Sequence, residues 1–238
     1  MISVCMAVYN GEKYIKEQLE SILAQLSEDD EVVISDDGSN DNTKAVIDSF
    51  GDKRIHYYEN KDTHGFTHNF ENALRLSKGD YIFLSDQDDI WIENKVETVI
   101  GYLKNADFVV HDCTTVDADM NVLSESRFID FNIKPGFFHH LLKSRYLGCC
   151  MAFNRQLLNT ALPFPLRDDL VEHDIWLAAV GFLYFKAELI HEPLIKYRRH
   201  GNNVSDGGFT KGYSLGNKIY RRIYRLKELT MVKKKVKK

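Results

Sequence analysis

The chain has 238 residues, is 44% hydrophobic and 28% charged, and carries a formal net charge of −4. These are the proportions of an ordinary folded domain with ample apolar material for a core. No segment reaches the roughly 18 to 20 apolar residues of a membrane-spanning helix, and "MISVCMAVYNGEKY" lacks the basic start and long apolar run of a signal peptide, so a cytoplasmic site of action is expected.

Strands and helices alternate from the start. "ISVCMAV" is a short apolar run of β-formers, and "YNGEKYIKEQLESILAQ" then places Tyr14, Ile15, Leu19, Ile22 and Leu26 at helical spacing. The pair recurs as "EVVIS" with "SNDNTKAVIDSF", "RIHYYEN" with "THNFENALRLS", and "DYIFLS" with "ENKVETVIGYLKN", before "ADFVVHD". The expectation is an α/β fold, a Rossmann-like, mostly parallel central sheet with helices on both faces. Later, "GFFHHLLKS", "NRQLLNTAL" and "HDIWLAAVGF" read as helices, and "GCCMAF", "LYFKAEL" and "PLIKYRRH" as strands. Cys5, Cys113, Cys149 and Cys150 show no C-x-x-C spacing, so buried reduced thiols are expected and structural zinc is not.

Ligands of such sheets bind beyond the carboxyl ends of the strands. Those ends read Tyr9 and Asn10, "SDDGSND", "ENKDTHG", "SDQDD", and His111 with Asp112, which gathers polar and acidic residues on one edge. In "SDDGSND", Asp36 or Asp37 can accept the imide N–H of a uracil or thymine ring. Equally, Ser39 or Asp41 can cap the next helix while Asp37-Gly38 turns the chain. In "SDQDDIW", Asp86 and Asp88 have D-x-D spacing. Their mutual repulsion is relieved by a cation, and oxygen ligands suit Mg²⁺ or Mn²⁺, yet acids at a helix-starting turn explain the same letters. "VEHDIW" offers Glu172 and Asp174 as a general base or as helix-start acids, with His173 as a packing residue. "KYRRHGNNVS" offers Arg198, Arg199 and His200 to a diphosphate or a metal, or as a basic surface loop. His64 and His68 lack the Glu of H-E-x-x-H, and there is no P-loop, G-x-G-x-x-G or G-x-S-x-G.

In their order, "VCMAVYNGEKYIKEQLESIL", "VVISDDGSNDNT", "GDYIFLSDQDDIW", "EHDIW" and "YRRHGNNVS" resemble the family 2 glycosyltransferases of GT-A fold, and "SDQDDIW" and "YRRHGNNVS" look most like the bacterial rhamnosyltransferase-like branch. The resemblance spans about residues 1 to 205. It implies an inverting transfer of a sugar from a UDP- or dTDP-linked donor, dTDP-rhamnose among them, to a hydroxyl of a growing surface polysaccharide. By resemblance Ala7, Tyr9, Asp36 and Asp37 hold the nucleotide, with Asp86 shared between the ribose and an Mg²⁺ or Mn²⁺ ion. Asp88 and His200 are its other ligands, Arg198 and His200 close over the diphosphate, Asp89 neighbours the acceptor, and Asp174, or Glu172 in second place, is the catalytic base. Many relatives carry an arginine where Phe70 stands and a proline where Ala7 stands; His68, Asn69 or Arg199 are the candidates to replace the arginine.

Residues 206–238 form a second region. From Lys211 onward lie eleven of the 31 basic residues but one of the 35 acidic ones, so the body is about −14 and the tail about +10. "NKIYRRIYRLKELTMVKKKVKK" sets Leu215, Ile219, Ile223 and Leu226 near helical spacing among Arg221, Arg222, Arg225 and Lys227. Such a helix suits an anionic membrane surface at the inner face, where a lipid-linked saccharide acceptor would be met, or packs on the domain. The acidic body argues against nucleic acid as the main partner. Two rival readings stand beside the transferase: a non-catalytic sugar-nucleotide or partner-binding module, and a nucleotidyltransferase. The latter is expected to have a glycine-rich basic loop where this chain has "YNGEKY".

Overall fold

The computed structural model describes residues 1–143, 145–201 and 214–236. The end of "YRRHGNNVS" and the expected boundary at residue 205 lie outside the described residues. Strands β1 (Ile2–Val8), β2 (Glu31–Asp36), β3 (Ile55–Glu59) and β4 (Tyr81–Ser85) are all parallel, in the order β3-β2-β1-β4. Val4, Cys5 and Met6 are successive and all fully buried, which requires cover on both faces of β1 and explains its unbroken apolar run. Helices α1 (Ile15–Leu23), α2 (Thr43–Asp48) and α3 (Phe66–Leu76) connect these strands, and α1 buries Ile15, Leu19 and Ile22 at the expected spacing.

Beyond β4 the sheet becomes mixed, which corrects the expectation of a mostly parallel one. The order continues β8-β6-β9-β5, where β5 is Ile90–Trp91, β6 Phe108–Val116, β8 Met151–Asn154 and β9 Ala187–Arg198. Strand β8 runs antiparallel to both β4 and β6, β9 runs parallel to β6, and β5 antiparallel to β9. A short β7 (Val122–Ser124) pairs with β6. The two strands expected from "LYFKAEL" and "PLIKYRRH" are the single β9. Its register against β6 shifts between the Ile190 and Pro193 partners, where proline has no N–H for the ladder. His111 and Asp112 are not a strand end either, because β6 runs on through the β-branched "TTV" to Val116. "GCC" is a 3₁₀ turn leading into β8.

The remaining helices are α4 (Lys95–Leu103), α5 (Arg127–Asp130), α6 (Phe137–Leu142), α7 (Arg155–Ala161), α8 (His173–Tyr184) and α9 (Leu215–Val236). Residues Trp176 to Gly181 of α8 are all buried, and Gly181 is required: a Cβ there would lie 2.6 Å from the Phe108 ring of β6. Helix α9 docks on the domain through buried Leu229 and Val232 and through the Tyr184 hydroxyl, which donates to the Leu229 carbonyl at 2.7 Å. No helix among the described residues is long and apolar enough to cross a membrane. All four cysteines are buried and free, as expected.

Candidate active site

The parallel half brings three strand exits together. Asp36 accepts the N–H groups of Gly38 (3.0 Å) and Ser39 (2.7 Å) and the Tyr57 hydroxyl (2.9 Å), so its buried carboxylate shapes the turn after β2. Gly38 takes φ +87°, the left-handed conformation that suits glycine in this turn. Asp37 gathers the next loop, accepting from Asn60 Nδ2 at 2.9 Å and Gly65 N–H at 2.8 Å, with His64 Nδ1 at 3.1 Å. Tyr9 is half exposed beyond β1, and its backbone N–H and C=O make a two-way bridge to the Gln87 amide (2.9 and 3.0 Å) in the turn after β4. Ala7 is partly buried on β1. Asn69, in place of an arginine-bearing motif, is buried and donates to the Val8 and Ser35 carbonyls, and Phe70 is 3% exposed. Neither presents a cation. His68 lies 3.5 Å from Asp168.

The acidic turn 86–89 is enclosed because β5 folds back along β9, setting the end of β4 beside the end of β9. Asp88 faces His200, with Oδ2 and Nε2 2.8 Å apart, and the imidazole stacks on Tyr14 at 4.7 Å. Arg198 is only 3% exposed. Its backbone N–H donates to Asp89 Oδ1 (3.0 Å), its Nε to the Asp88 carbonyl (2.9 Å) and its Nη2 to Glu17 (2.6 Å), over the Tyr14 ring. In the described structure, therefore, this guanidinium orders the acidic turn from inside the fold.

Antiparallel β8 sets the turn Gly148–Cys150 against the same strand end. The ligand atoms of Asp86, Asp89 and Cys149 lie within 4.8 Å of one another. Sequence reasoning missed Cys149, whose closeness depends on the pairing of Phe83 with Ala152, 69 residues further along the chain. Burial, then the Asp88 charge, pushes Asp86 up to about 7. Burial and both neighbouring aspartates hold Asp89 well above the carboxylate range, and its Oδ2 is buried with no hydrogen-bond partner. Lys95, 1% exposed, sits nearby with Nζ donating to the Cys149 carbonyl at 3.3 Å and 4.0 Å above the Trp91 ring; burial brings it down to about 8. An unmatched acceptor among crowded, proton-retaining carboxylates fits a divalent cation bound by oxygen. The expected set of Asp86, Asp88 and His200 adjoins this group, though Asp88 is turned toward His200.

Opposite lies the start of α8. Gly148 keeps the approach open, since a Cβ there would stand 2.7 Å from His173 Nε2 and 3.5 Å from Asp174 Cβ. His173 packs between Phe70 (stacked, 4.2 Å) and Phe66 (edge-on, 5.8 Å), and burial holds it down to about 3, hence neutral. Asp174 is raised to about 7 by burial and then by Glu172, with a further contribution from Asp86; its Oδ1 accepts the Ile175 N–H at 2.6 Å. Glu172 pairs with Arg221 of α9 at 3.5 Å. A carboxyl group poised near neutrality, within electrostatic reach of Asp86, can take a proton from an incoming hydroxyl.

The sequence model of glycosyl transferase family 2 matches residues 3–162. The chain is 28% identical over 214 residues to the Escherichia coli UDP-Glc:alpha-D-GlcNAc-diphosphoundecaprenol beta-1,3-glucosyltransferase WfgD, covering 88% of this chain and 81% of that one. It is 28% identical over 220 residues to an uncharacterized glycosyltransferase of Rickettsia typhi, but spans only 64% of that relative's length. Among solved structures, Staphylococcus aureus TarS 1-349 in complex with UDP-GlcNAc superposes with a TM-score of 0.66 at 16% identity, over 89% of this chain and 61% of the TarS 1-349 chain. The mannosyltransferase PcManGT of Pyrobaculum calidifontis, in complex with GDP-Man and Mn²⁺, gives 0.58 at 22% identity, over 81% and 54%. These neighbours identify the mixed, curled sheet as GT-A-like. With the family model covering more than half of the chain, including the exits of β2 and β4, the chain belongs to glycosyl transferase family 2.

Proposed function

We propose that this chain is a metal-dependent inverting glycosyltransferase. It moves a sugar from a uridine or thymidine diphosphate donor, dTDP-rhamnose among the candidates, to a hydroxyl of a bacterial surface polysaccharide carried on a lipid. The observation that carries the reading is the pair of acid groups that meet at the Gly148–Cys150 turn: Asp86, Asp88 and Asp89 at the β4 exit, and Asp174 at the start of α8, raised to about 7 by burial and Glu172, with Asp86 also contributing. The names of two similar proteins support the donor and acceptor, since WfgD is a UDP-Glc transferase acting on a diphosphoundecaprenol-linked sugar and TarS was solved with UDP-GlcNAc.

In this reading Tyr9, Ala7 and the Asp36–Asp37 turn receive the base and ribose, with Asp86 at the ribose side. Asp86, Asp88 and His200 would hold Mn²⁺ or Mg²⁺, with the unmatched Oδ2 of Asp89 as a further oxygen donor on the acceptor side. When bound, the cation neutralises charge that develops on the departing diphosphate. Arg198 keeps the acidic turn in place through the Asp88 carbonyl and Asp89. Asp174 removes the proton of the acceptor hydroxyl, and Glu172 raises its basicity. The oxygen then attacks the anomeric carbon from the face opposite the diphosphate, so one displacement inverts the configuration. A place on the cytoplasmic side of the membrane follows from a lipid-linked acceptor.

The test is a panel of nucleotide sugars with Mn²⁺ or Mg²⁺, read as released nucleotide diphosphate with and without a lipid-linked acceptor. Asp174→Asn should retain donor binding and lose transfer. If no donor shows metal-dependent binding or turnover, the reading fails; if transfer survives in Asp174→Asn, that residue is not the base.

A further inference from the structure

Helix α9 turns its arginines inward. Arg221 and Arg225 are 7% and 4% exposed, and Arg221 meets Glu172 and the Asp169 carbonyl. Leu215, Ile219, Ile223 and Leu226 are instead 73%, 47%, 59% and 42% exposed. At roughly 100° per residue these four fall within about 80° of one another, a single outward stripe. Helix α6 lies beside it. Arg222 donates to the Leu141 carbonyl (3.0 Å) and the Leu142 carbonyl (2.8 Å), which fastens the end of α6 beside α9, and α6 leaves Leu142 and Phe138 63% and 79% exposed.

The surroundings are basic. Lys218 and Lys227 on α9, and Lys134 and Lys143 flanking α6, are exposed. From Arg127 to Arg145 there are four Lys or Arg residues against Asp130 alone. His139 of α6 is held below its ordinary value by burial and then by Lys143, Lys134 and Arg145, a sign of the positive field there.

We propose that the α6–α9 pair is a membrane-docking platform that lies flat on an anionic bilayer, the six apolar side chains entering the acyl boundary and the lysines meeting the headgroups. The occupant is lipid rather than a second copy of the chain, because a copy on this face would bring the same lysines against one another. The sequence pattern alone leaves open whether the basic residues of the tail face lipid or the domain. In the folded chain Arg221 and Arg225 belong to the acids at the start of α8, so lipid attachment falls to the apolar stripe and the lysines. Docking would hold Asp174 and Glu172, on the inner side of α9, near the depth at which a lipid-linked sugar is presented. That last point rests on the proposed transfer reaction; the docking itself does not.

Vesicle co-sedimentation of the full chain tests the platform, with phosphatidylcholine alone and with phosphatidylglycerol added. The wild type is expected to partition onto the anionic vesicles. Ile219→Glu with Ile223→Glu should lower the partition coefficient at least about tenfold, as expected for loss of two buried aliphatic side chains. Phe138→Ala with Leu142→Ala should lower it by a smaller factor. All variants should keep binding of the nucleotide diphosphate, which separates failure of docking from failure of the transfer reading. The proposal is overturned if the wild type stays in the supernatant, if the Ile219/Ile223 variant sediments like the wild type, or if light scattering shows a dimer that this variant dissociates.

Discussion

Asp174→Asn should stabilise the protein while abolishing its chemistry, and the pH dependence of that gain is diagnostic. Burial, Glu172 and Asp86 raise the Asp174 carboxyl from 3.8 to about 7. The folded state therefore binds this proton more tightly than the unfolded chain does. The sign follows directly: the group costs nothing below the unfolded pKa, and stability is lost as pH rises from about 4 to about 7. Three pH units correspond to on the order of 4 kcal/mol once both states are ionised. Asparagine keeps the shape and carries no charge, so it removes that cost. Urea denaturation of wild type and variant, without donor or divalent cation, should show nearly equal stability at about pH 4. The variant should lead by several kcal/mol at about pH 8, with the difference opening between those limits. A variant no more stable at about pH 8, or one whose advantage is the same at both, would refute the claim that Asp174 is held against its own ionisation.

Arg225 is buried and among the charges that draw Asp174 downward. Arg225→Met should therefore move the acidic limb of the kcat/KM profile to higher pH, and Arg225→Lys should restore most of the shift; unchanged profiles would separate α9 from the base. His200→Ala removes the imidazole facing Asp88 and stacked on Tyr14, and should raise the donor KM about tenfold, the scale of one charge-assisted contact, with little change in thermal unfolding. Gly79→Ala places a Cβ 2.6 Å from the Ser3 nitrogen and 2.8 Å from the Ile2 carbonyl carbon, both backbone. It should destabilise the fold by about 1–3 kcal/mol in thermal or urea melts without altering donor affinity.

The first four strands and their helices were legible because each is a local event: an apolar run, a polar turn, then a 3.6-residue period. The strand exits followed, since Asp36, Asp37, Asp86 and Asp88 sit where parallel strands end. Less legible was whatever depended on pairing between distant segments. Nothing in "ADFVVHD" says that the strand continues beyond Asp112, whose carboxylate in fact accepts from the Cys113 and Phe128 N–H groups. Nor does "GCCMAF" announce that it runs against β4 and carries a thiol to Asp86. Arg198 reads as a surface fork in one dimension, yet the return of β5 along β9 encloses it. The tail gave its helix and its apolar positions correctly, but the inward choice of Arg221 and Arg225 depends on acids some 50 residues earlier in the chain.

The turn Gly148–Cys150 touches both acid groups, Cys149 beside Asp86 and Gly148 against Asp174. Under the proposed function, these three residues set the distance between the leaving group and the incoming oxygen. One residue inserted there could open that gap by up to about 3.5 Å, close to the width of an atom pair in contact. One deleted would pull the carboxylates toward each other. Under the same reading, a length change in this turn would alter which sugars are accepted while every acid kept its identity.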